Sequence, residues 1–265
     1  MKKMVVLGAG ESGVGTALLA IQKHYQVFVS DKGAIVKKYK EVLLNNDIEF
    51  EENQHTESKI LNADIVMKSP GIPDRSMLIQ KLISKNIPVV SEIEFASQFT
   101  EAKIVGITGS NGKTTTAMLT HHVLKDGNLD VGLAGNIGDS FAKQVSVQNY
   151  NEYVLELSSF QLDGIKKFAP HIAVITNITP DHLDRYDYDF KKYIASKFRI
   201  TKNQTKNDYL IYDADDDASN KWLKKHTTKA QLIPFSIERE LKFGAFIKED
   251  KLITKINTEE FTMPL

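Results

Sequence analysis

The chain has 265 residues with 34 basic and 34 acidic side chains, and this balance excludes a basic field that would bind nucleic acid non-specifically. It contains no cysteine, which excludes a disulfide framework and a thiolate metal site, and no apolar stretch approaches the roughly 20 residues that a membrane helix needs. These properties predict a soluble cytoplasmic protein of about two domains, with no nucleic-acid or membrane partner.

The N-terminal part of the chain alternates short apolar runs with helical patterns. We predict strands at residues 4–7, 26–30, 64–68 and 88–90. We predict helices at residues 14–24, 34–45 and 75–85, the second of them from the helical spacing of Val36, Tyr39 and Leu43. This β-α-β alternation is typical of a parallel, doubly wound sheet, and it predicts an α/β domain over residues 1–95.

The same alternation restarts near residue 100, so we place a domain boundary within residues 91–101 and a second α/β domain over residues 96–265. Its predicted strands are residues 103–108, 131–134, 153–157, 171–176, 208–212 and 231–235. Its predicted helices are residues 113–125, 189–202 and 218–225. Residues 246–253 are predicted to form two short strands around a polar turn.

The first glycine-rich loop, Gly8-Ala9-Gly10-Glu11-Ser12-Gly13, follows a predicted strand and precedes a helix. Glycines there let the backbone approach a diphosphate, and Asp31 closes the next strand where a carboxylate can meet a ribose hydroxyl. Spacing alone favours NAD, although glycines also serve tight strand–helix packing. The loop Ser69-Pro70-Gly71-Ile72-Pro73 follows another strand and is expected to face the same crevice.

A second glycine-rich loop lies between the strand at 103–108 and the helix at 113–125. Its form is G-x-x-G-K-T, because Ile107 stands where the strict P-loop pattern has glycine. Backbone N–H groups in such a loop cradle phosphates, Lys113 reaches the terminal phosphates, and the Thr114 hydroxyl can ligate Mg²⁺. The residues predicted to bind ATP are Gly109, Ser110, Asn111, Gly112, Lys113, Thr114 and Thr115.

Two further side chains follow strands of this half and are candidates for metal binding. Glu156 ends the strand at 153–157, where a P-loop protein needs a carboxylate for its metal. His182 follows the strand at 171–176, and a neutral imidazole can bind a divalent cation or position a phosphate. Each has an ordinary alternative, since a glutamate at a strand end is often only solvated and a lone histidine is usually structural.

Taken together, these segments resemble the muramyl ligase family, and in particular its branch that adds D-glutamate. The resemblance spans essentially the whole chain. The residues that carry it are Thr108-Gly109-Ser110-Asn111-Gly112-Lys113-Thr114-Thr115, Gly135-Asn136-Ile137-Gly138, Glu156-Leu157-Ser158-Ser159-Phe160-Gln161-Leu162, Asp181-His182-Leu183-Asp184-Arg185-Tyr186 and Ala195-Ser196-Lys197-Phe198-Arg199-Ile200.

The resemblance implies a role for each candidate residue. The first domain becomes a Rossmann-like module that holds UDP rather than NAD, and the second becomes a P-loop ATPase-type domain. Lys197 matches a lysine that reacts with CO₂, and its carbamate would support a second Mg²⁺. The implied substrate contacts are Glu11, Ser12, Asp31, Lys32, Gly71, Asn136, Gln161 and His182. The implied metal ligands are Thr114, Glu156, His182 and Lys197, and the implied catalytic residues are Lys113, His182 and Lys197.

The implied reaction is ATP-dependent formation of an amide bond. The alanine carboxylate of UDP-N-acetylmuramoyl-L-alanine attacks the γ-phosphate of ATP, and the amine of D-glutamate then displaces phosphate from the acyl phosphate. The family has three domains, so we expect the central domain to be incomplete in this chain and the third, D-glutamate-binding domain to be absent. We also expect the chain to be a monomer. Such a chain is expected to bind the precursor but to ligate poorly.

Two other functions remain open from the sequence. The chain could be a UDP-sugar-binding module without activity, which would bind UDP without turning over ATP. It could also be a P-loop kinase or NTPase with an unrelated acceptor, whose ATP hydrolysis would not respond to a muramyl precursor. The Ser158-Ser159-Phe160-Gln161 segment argues against the second of these.

Overall fold

A computed structural model describes residues 1–256 and 259–265 of the chain. The N-terminal part forms a five-stranded parallel sheet with the strand order β3-β2-β1-β4-β5. Its strands are β1 (Lys3–Leu7), β2 (Gln26–Ser30), β3 (Glu49–Glu51), β4 (Ile65–Lys68) and β5 (Val89–Val90). The helices of this part are α1 (Glu11–Gln22), α2 (Lys37–Asn45), α3 (Glu57–Ile60) and α4 (Met77–Ser84).

The remaining chain forms a nine-stranded sheet with the order β14-β13-β12-β11-β10-β9-β6-β8-β7. Its strands are β6 (Lys103–Thr108), β7 (Val131–Gly135), β8 (Glu152–Glu156), β9 (Ile172–Ile175), β10 (Tyr209–Asp213), β11 (Gln231–Ser236), β12 (Gly244–Lys248), β13 (Lys251–Ile256) and β14 (Glu259–Pro264). Strands β6 to β12 pair in parallel, whereas β13 and β14 extend the sheet by antiparallel pairing.

Helices connect and flank the two sheets. They are α5 (Glu92–Ala96), α6 (Lys113–Asp126), α7 (Phe141–Val147), α8 (Ser159–Asp163), α9 (Phe190–Phe198) and α10 (Asp217–Leu223). Single 3₁₀ turns follow or link them at Ser97–Phe99, Leu183–Tyr186 and Arg199–Thr201. In the part of the chain that the structure describes, none of the helices combines the length and apolar character needed to span a membrane.

Two strands that have neighbours on both sides, β1 and β8, show why apolar runs in the sequence predicted the sheets. Residues 4–7 of β1 and 153–156 of β8 are all buried, because helices cover both faces of a parallel sheet. Every strand and helix predicted from the sequence is present, with shifts of a few residues at its ends. The predicted helix at 189–202 differs from the prediction in helix type at its end, since α9 ends at Phe198 and the chain continues as a 3₁₀ turn.

The sequence missed several short elements. The strands β3 and β14 and the helices α3, α5, α7 and α8 were not predicted. The missed helices have four to seven residues, too few for an apolar period to show. Polar caps nevertheless define some of them, since the Ser140 side chain accepts from Lys143 N at the start of α7, and Ser158 and Gln161 form a capping box on α8.

The two sheets are joined by direct packing of α1 against α7. Gly15 permits this approach, because a Cβ there would lie 1.8 Å from the Ser140 Oγ that caps α7. The join also includes a hydrogen bond of 3.1 Å from Gln22 Nε2 to the Ser146 carbonyl oxygen. Between the sheets, α5 lies across the predicted boundary at 95/96, and the division into two domains stays a prediction.

Candidate active site

The first candidate site lies at the carboxyl edge of the N-terminal sheet, where the strand order changes direction between β1 and β4. The loop after β1 runs through Gly8 and Gly10 into α1. Asp31, directly after β2, binds this loop, since its Oδ2 accepts from Ala9 N at 2.6 Å and its Oδ1 accepts from Gly33 N at 2.8 Å. Asp31 therefore orders the glycine loop through hydrogen bonds to its backbone.

The other residues expected to contact UDP surround this loop. Glu11 accepts a hydrogen bond from Tyr39 Oη at 3.0 Å, and its second oxygen lies 3.4 Å from Ser140 N, at the start of α7. Ser12 lies one residue further along α1, where its carbonyl oxygen accepts from Thr16 Oγ1 at 2.7 Å, and Lys32 is exposed. Glu11 thus connects the first loop to the start of α7.

The loop after β4 is fixed by a buried lysine. Lys68 Nζ donates to the Ile72 carbonyl oxygen at 2.7 Å and lies 3.0 Å from the Asp74 carboxylate. From the second sheet, Arg185 donates to the carbonyl oxygens of Pro70 and Gly71 at 3.1 and 3.2 Å. Arg185 therefore brings the loop of residues 181–188 against the loop of residues 69–73, and so joins the two candidate ligand edges.

The second candidate site is the glycine loop between β6 and α6. Gly109 has φ +152°, and a Cβ there would lie 1.9 Å from Thr176 Oγ1, so only glycine fits. Residues after β9 hold the loop in place: Asn177 O accepts from Ser110 N at 2.8 Å, and Asn177 Oδ1 accepts from Asn111 N at 3.0 Å. Ser110 Oγ donates to the Thr179 carbonyl oxygen at 2.8 Å. The loop is fixed on the β9 side.

On its other side, the loop meets the end of β8. Thr114 Oγ1 donates to Glu156 Oε2 at 2.7 Å, and Asn136 Nδ2 donates to Glu156 Oε1 at 2.8 Å. Lys113 turns back on the loop and donates to the carbonyl oxygens of Gly109 and Ser110, each at 2.9 Å. Lys113, Thr114, Asn136 and Glu156 are thus gathered at one edge of the sheet, and Thr115 is exposed on the first turn of α6.

Lys197 is buried beneath the same loop, with only 1% of its surface exposed. Its Nζ donates to the Gly109 carbonyl oxygen at 2.6 Å and lies 4.6 Å from the centre of the Tyr193 ring. Burial, followed by the nearby charge of Lys113, lowers the pKa of Lys197 to about 7. The two lysines share one carbonyl oxygen, so Lys197 is held close to the phosphate loop with a weakened preference for the charged form.

His182 and Gln161 occupy different surroundings. His182 has a left-handed backbone with φ 48°, and its half-exposed ring lies 5.2 Å from the ring of Phe160. Gln161 is buried, and its Oε1 accepts from both the backbone and the hydroxyl of Ser158. Gln161 therefore caps α8, and the substrate contacts expected of both residues stay predictions.

The donor set around Glu156 fits a hard divalent cation such as Mg²⁺. Glu156 is 2% exposed, and within residues 1–256 and 259–265 it has neutral hydrogen-bond donors but no salt bridge. A buried carboxylate without a compensating charge is costly, and oxygen ligands are those that Mg²⁺ prefers. The described residues contain no cluster of three or more His, Cys, Asp or Glu placed to hold a metal. Thr114 and Glu156 would therefore hold such an ion together with water and phosphate oxygens.

Sequence reasoning missed the residues that support the loops. Asn177 and Thr179 carry no motif of their own, and only their position after a strand of the same sheet marks them. Arg185 lies within one of the segments that carry the family resemblance, but its contact with residue 71 spans more than a hundred positions. Such contacts depend on how the two sheets are joined, which no local pattern shows.

A parallel α/β sheet with a G-x-x-G-K-T loop, a threonine and a strand-end carboxylate defines a nucleotide-phosphate-binding protein, here preceded by a Rossmann-like sheet. The sequence model of the Mur ligase middle domain matches residues 107–264, and that of the MurD N-terminal domain matches residues 3–77. The chain belongs to the Mur ligase family.

Similar proteins agree with this assignment. A protein of Christiangramia forsetii named "UDP-N-acetylmuramoylalanine--D-glutamate ligase" is 59% identical over 99% of this chain and 59% of its own length. One of the same name from Bacteroides thetaiotaomicron is 52% identical over 98% of this chain and 56% of its own length. The chain thus spans less than two thirds of the length of these relatives.

Solved structures support the fold. The UDP-N-acetylmuramate:L-alanyl-gamma-D-glutamyl-meso-diaminopimelate ligase from Neisseria meningitides aligns with a TM-score of 0.66 at 17% identity, over 98% of this chain and 86% of that one. The UDP-N-acetylmuramate-alanine ligase from Thermotoga maritima aligns with a TM-score of 0.58 at 17% identity, over 99% of this chain and 60% of that one. At this identity the likeness shows a shared fold.

Proposed function

We propose that the protein serves the ATP-dependent addition of D-glutamate to UDP-N-acetylmuramoyl-L-alanine in the synthesis of peptidoglycan precursors. The observation that supports the proposal is the contact of Arg185 with the loop after β4, because it brings that loop of the first sheet against the loop of residues 181–188, which follows β9 of the second sheet. A precursor anchored by its UDP could then present its far end to ATP. The names of the relatives supply the identity of the precursor and of the amino acid.

In this proposal the first sheet holds the UDP end of the precursor. The glycine loop offers backbone N–H groups and close approach to the diphosphate, and Asp31 fixes the loop through Ala9 N. Glu11, Ser12, Lys32 and Gly71 lie around the same edge. Asn136, Gln161 and His182 are the proposed contacts further along the precursor.

The second sheet would bind ATP and neutralise its phosphates. Lys113 donates to two carbonyl oxygens of the glycine loop, and in this proposal its amine would bind the terminal phosphates of ATP. Mg²⁺, held by Thr114 and Glu156, would supply positive charge at the phosphate oxygens. Phosphoryl transfer depends on positioning and on charge neutralisation, so the chain needs no nucleophile of its own.

The reaction itself joins the two ends of the site. The alanine carboxylate attacks the γ-phosphorus, the bond to the β–γ bridging oxygen breaks, and ADP leaves. The amine of D-glutamate then attacks the carbonyl carbon of the acyl phosphate, loses a proton and expels phosphate. The role of this chain is to hold the carboxylate and the phosphate together, with Lys113 against the developing negative charge.

We also propose that Lys197 is carbamylated in the working protein. The amine is buried beside the phosphate loop and shares the Gly109 carbonyl with Lys113, so two positive charges meet in one place. The free amine attacks CO₂ and loses a proton, and the resulting carbamate replaces this repulsion by attraction. It would then act with His182 at a second Mg²⁺. Carbon NMR with ¹³C-bicarbonate should show a carbamate signal that Lys197→Arg abolishes; an unchanged spectrum contradicts it.

The test of the function measures two ligands on one molecule. Calorimetry should show that the chain binds a non-hydrolysable ATP analogue with Mg²⁺, and that it still binds the precursor when the analogue is saturating. A P-loop NTPase with another acceptor would bind the analogue but not the precursor. A UDP-sugar-binding module would bind the precursor but not the analogue.

We propose the cytoplasm as the location of the protein, since ATP and UDP-linked precursors meet there. We also propose that the protein works as a monomer.

A further inference from the structure

A hydrogen-bonded chain of three side chains lies beside the first candidate site and has no part in the reaction above. Ser30, the last residue of β2, is completely buried. Its Oγ lies 2.6 Å from Glu51 Oε1 at the end of β3 and 2.7 Å from His55 Nδ1 in the loop that follows. The three groups share few protons, so their donor and acceptor roles can be assigned.

Glu51 is an acceptor only. Burial opposes its ionisation, but hydrogen bonds from Ser30 and Thr56 outweigh it and hold the pKa of Glu51 below its ordinary value. An ionised carboxylate has no proton to give, so the single hydroxyl proton of Ser30 points to Glu51. The lone pairs of Ser30 Oγ then face His55, and the contact of 2.7 Å requires a proton on His55 Nδ1.

The other nitrogen of His55 is therefore an acceptor. Burial lowers the pKa of His55, so its ring is neutral near pH 7 and carries one proton. Because that proton is on Nδ1, Nε2 keeps its lone pair. The half-buried side chain thus presents a fixed hydrogen-bond acceptor, whose tautomer is set by Ser30 and Glu51 behind it.

This acceptor lies beside the proposed UDP site. The loop of His55 is tied to the loop after β2 by hydrogen bonds from Asn53 N to the Gly33 carbonyl oxygen at 3.0 Å and from Gln54 N to the Asp31 carbonyl oxygen at 3.3 Å. The strand order β3-β2-β1 places His55, Asp31 and the glycine loop in a row along one sheet edge. A nucleoside diphosphate with its phosphates at the loop and its ribose near Asp31 extends its base toward His55.

We propose that His55 Nε2 accepts a hydrogen bond from the N3–H group of a uracil ring and so selects uracil at this site. The proposal rests on the proposed binding of UDP at the edge of the first sheet. Uracil carries a proton on N3, whereas cytosine has a lone pair there that would face the lone pair of Nε2. A pyrimidine without a donor at N3 loses this bond and leaves the acceptor unpaired.

The first experiment measures the tautomer in the free protein. Nitrogen-15 NMR of the imidazole rings, with the His55 signals assigned by their loss in His55→Phe, should show the proton on Nδ1 near pH 7. A proton on Nε2 overturns the proposal, because that nitrogen could then not accept from uracil. This measurement uses the wild-type protein and does not depend on the binding of any nucleotide.

The second experiment compares UDP with 3-methyl-UDP by calorimetry. We expect the wild type and the control His226→Phe to bind the methylated ligand about ten-fold more weakly. In His55→Phe the preference for UDP should shrink, since the acceptor is gone and only the contact of the methyl group with a ring of similar size remains. Equal binding of both ligands by the wild type, or an unchanged preference in a folded His55→Phe, overturns the role of His55.

The possible results of the calorimetry distinguish the role of His55 from the proposed binding of UDP by the first sheet. UDP that binds without preference for N3–H refutes the role of His55 but leaves the proposed function standing. A wild type that binds no UDP refutes the proposed function of the first sheet, and the role of His55 with it. A melting curve establishes that His55→Phe is folded; if it is not, the wild-type ligand comparison and the tautomer still decide.

Discussion

The metal binding that we propose at the second site depends mainly on one side chain, Glu156. It is buried at the end of β8, where it accepts from Thr114 on α6 and from Asn136 after β7. Both donors are neutral, so the negative charge is hydrogen-bonded without being compensated. This imbalance is the physical reason to propose a cation there, and in that proposal Thr114 would link the cation to the glycine loop.

Replacing Thr114 by valine tests this link while preserving shape. Thr114→Val removes the hydroxyl beside Glu156, so we expect the affinity for ADP in the presence of Mg²⁺ to fall about ten-fold. The affinity without Mg²⁺ should change little. Calorimetric titration with and without the metal measures both, and Thr114→Ser, which keeps the hydroxyl, is the matched control. Equal losses with and without Mg²⁺ would contradict the metal role.

Single residues also show what the sequence could and could not predict. Lys113 and Thr114 stand in one contiguous motif, so their position between a strand and a helix was predictable, although their roles stay predictions. Asn177 and the tautomer-setting Ser30 belong to no motif, because their partners lie in other segments of the chain. Residues that act through long-range contacts need the fold before they can be recognised.

Among the elements, α5 lies between the two sheets in the chain, and two of its glutamates attach it to the second sheet. The Glu92 side chain accepts from Ala142 N in α7 at 3.0 Å, and burial raises its pKa. Glu94, two residues on, accepts from the backbone N–H groups of residues 166–168 at 2.8 to 3.0 Å. The buried side chains of Glu92 and Glu94 thus attach a helix of five residues to the second sheet.

Glu94→Gln should weaken this fastening measurably. Glutamine has no negative charge for the three backbone N–H groups to bind, and if its amide nitrogen takes the place of Oε1, Lys167 N loses one of its two acceptors and faces a donor group. We expect a loss of about 1–3 kcal/mol in the free energy of unfolding, measured by urea denaturation. The exposed Glu101→Gln is the control for the change in charge and should stay close to the wild type. An unaltered midpoint for Glu94→Gln would show that the carboxylate does not hold α5.

The short elements explain where sequence prediction failed. The segment Ser91-Glu92-Ile93-Glu94-Phe95 alternates polar and apolar residues, so it showed no helical period and marked only a boundary. Its glutamates look like surface residues, yet both are buried. The long elements were predictable because their apolar faces repeat over many residues, whereas α5 is set by contacts with α7 and with residues 166–168.

In the whole molecule, packing of α1 on α7 and the Arg185 contacts hold the two sheets so that their candidate ligand edges face each other. The α/β class and the parallel sheets were predictable from alternating strands and helices, and the solved structures at 17% identity share this fold. The joining of the sheets was not predictable, because it depends on contacts between residues far apart in sequence.

The central claim is that one ligand, the UDP-linked muramyl precursor, extends from the edge of the first sheet toward the phosphate loop of the second. Calorimetric titration of the chain with UDP-N-acetylmuramoyl-L-alanine, UDP and NAD tests it most directly. The account predicts that the precursor binds more tightly than UDP, since its muramyl part makes further contacts, and that NAD does not bind. A preference for NAD, or a folded chain that binds no precursor, would contradict it.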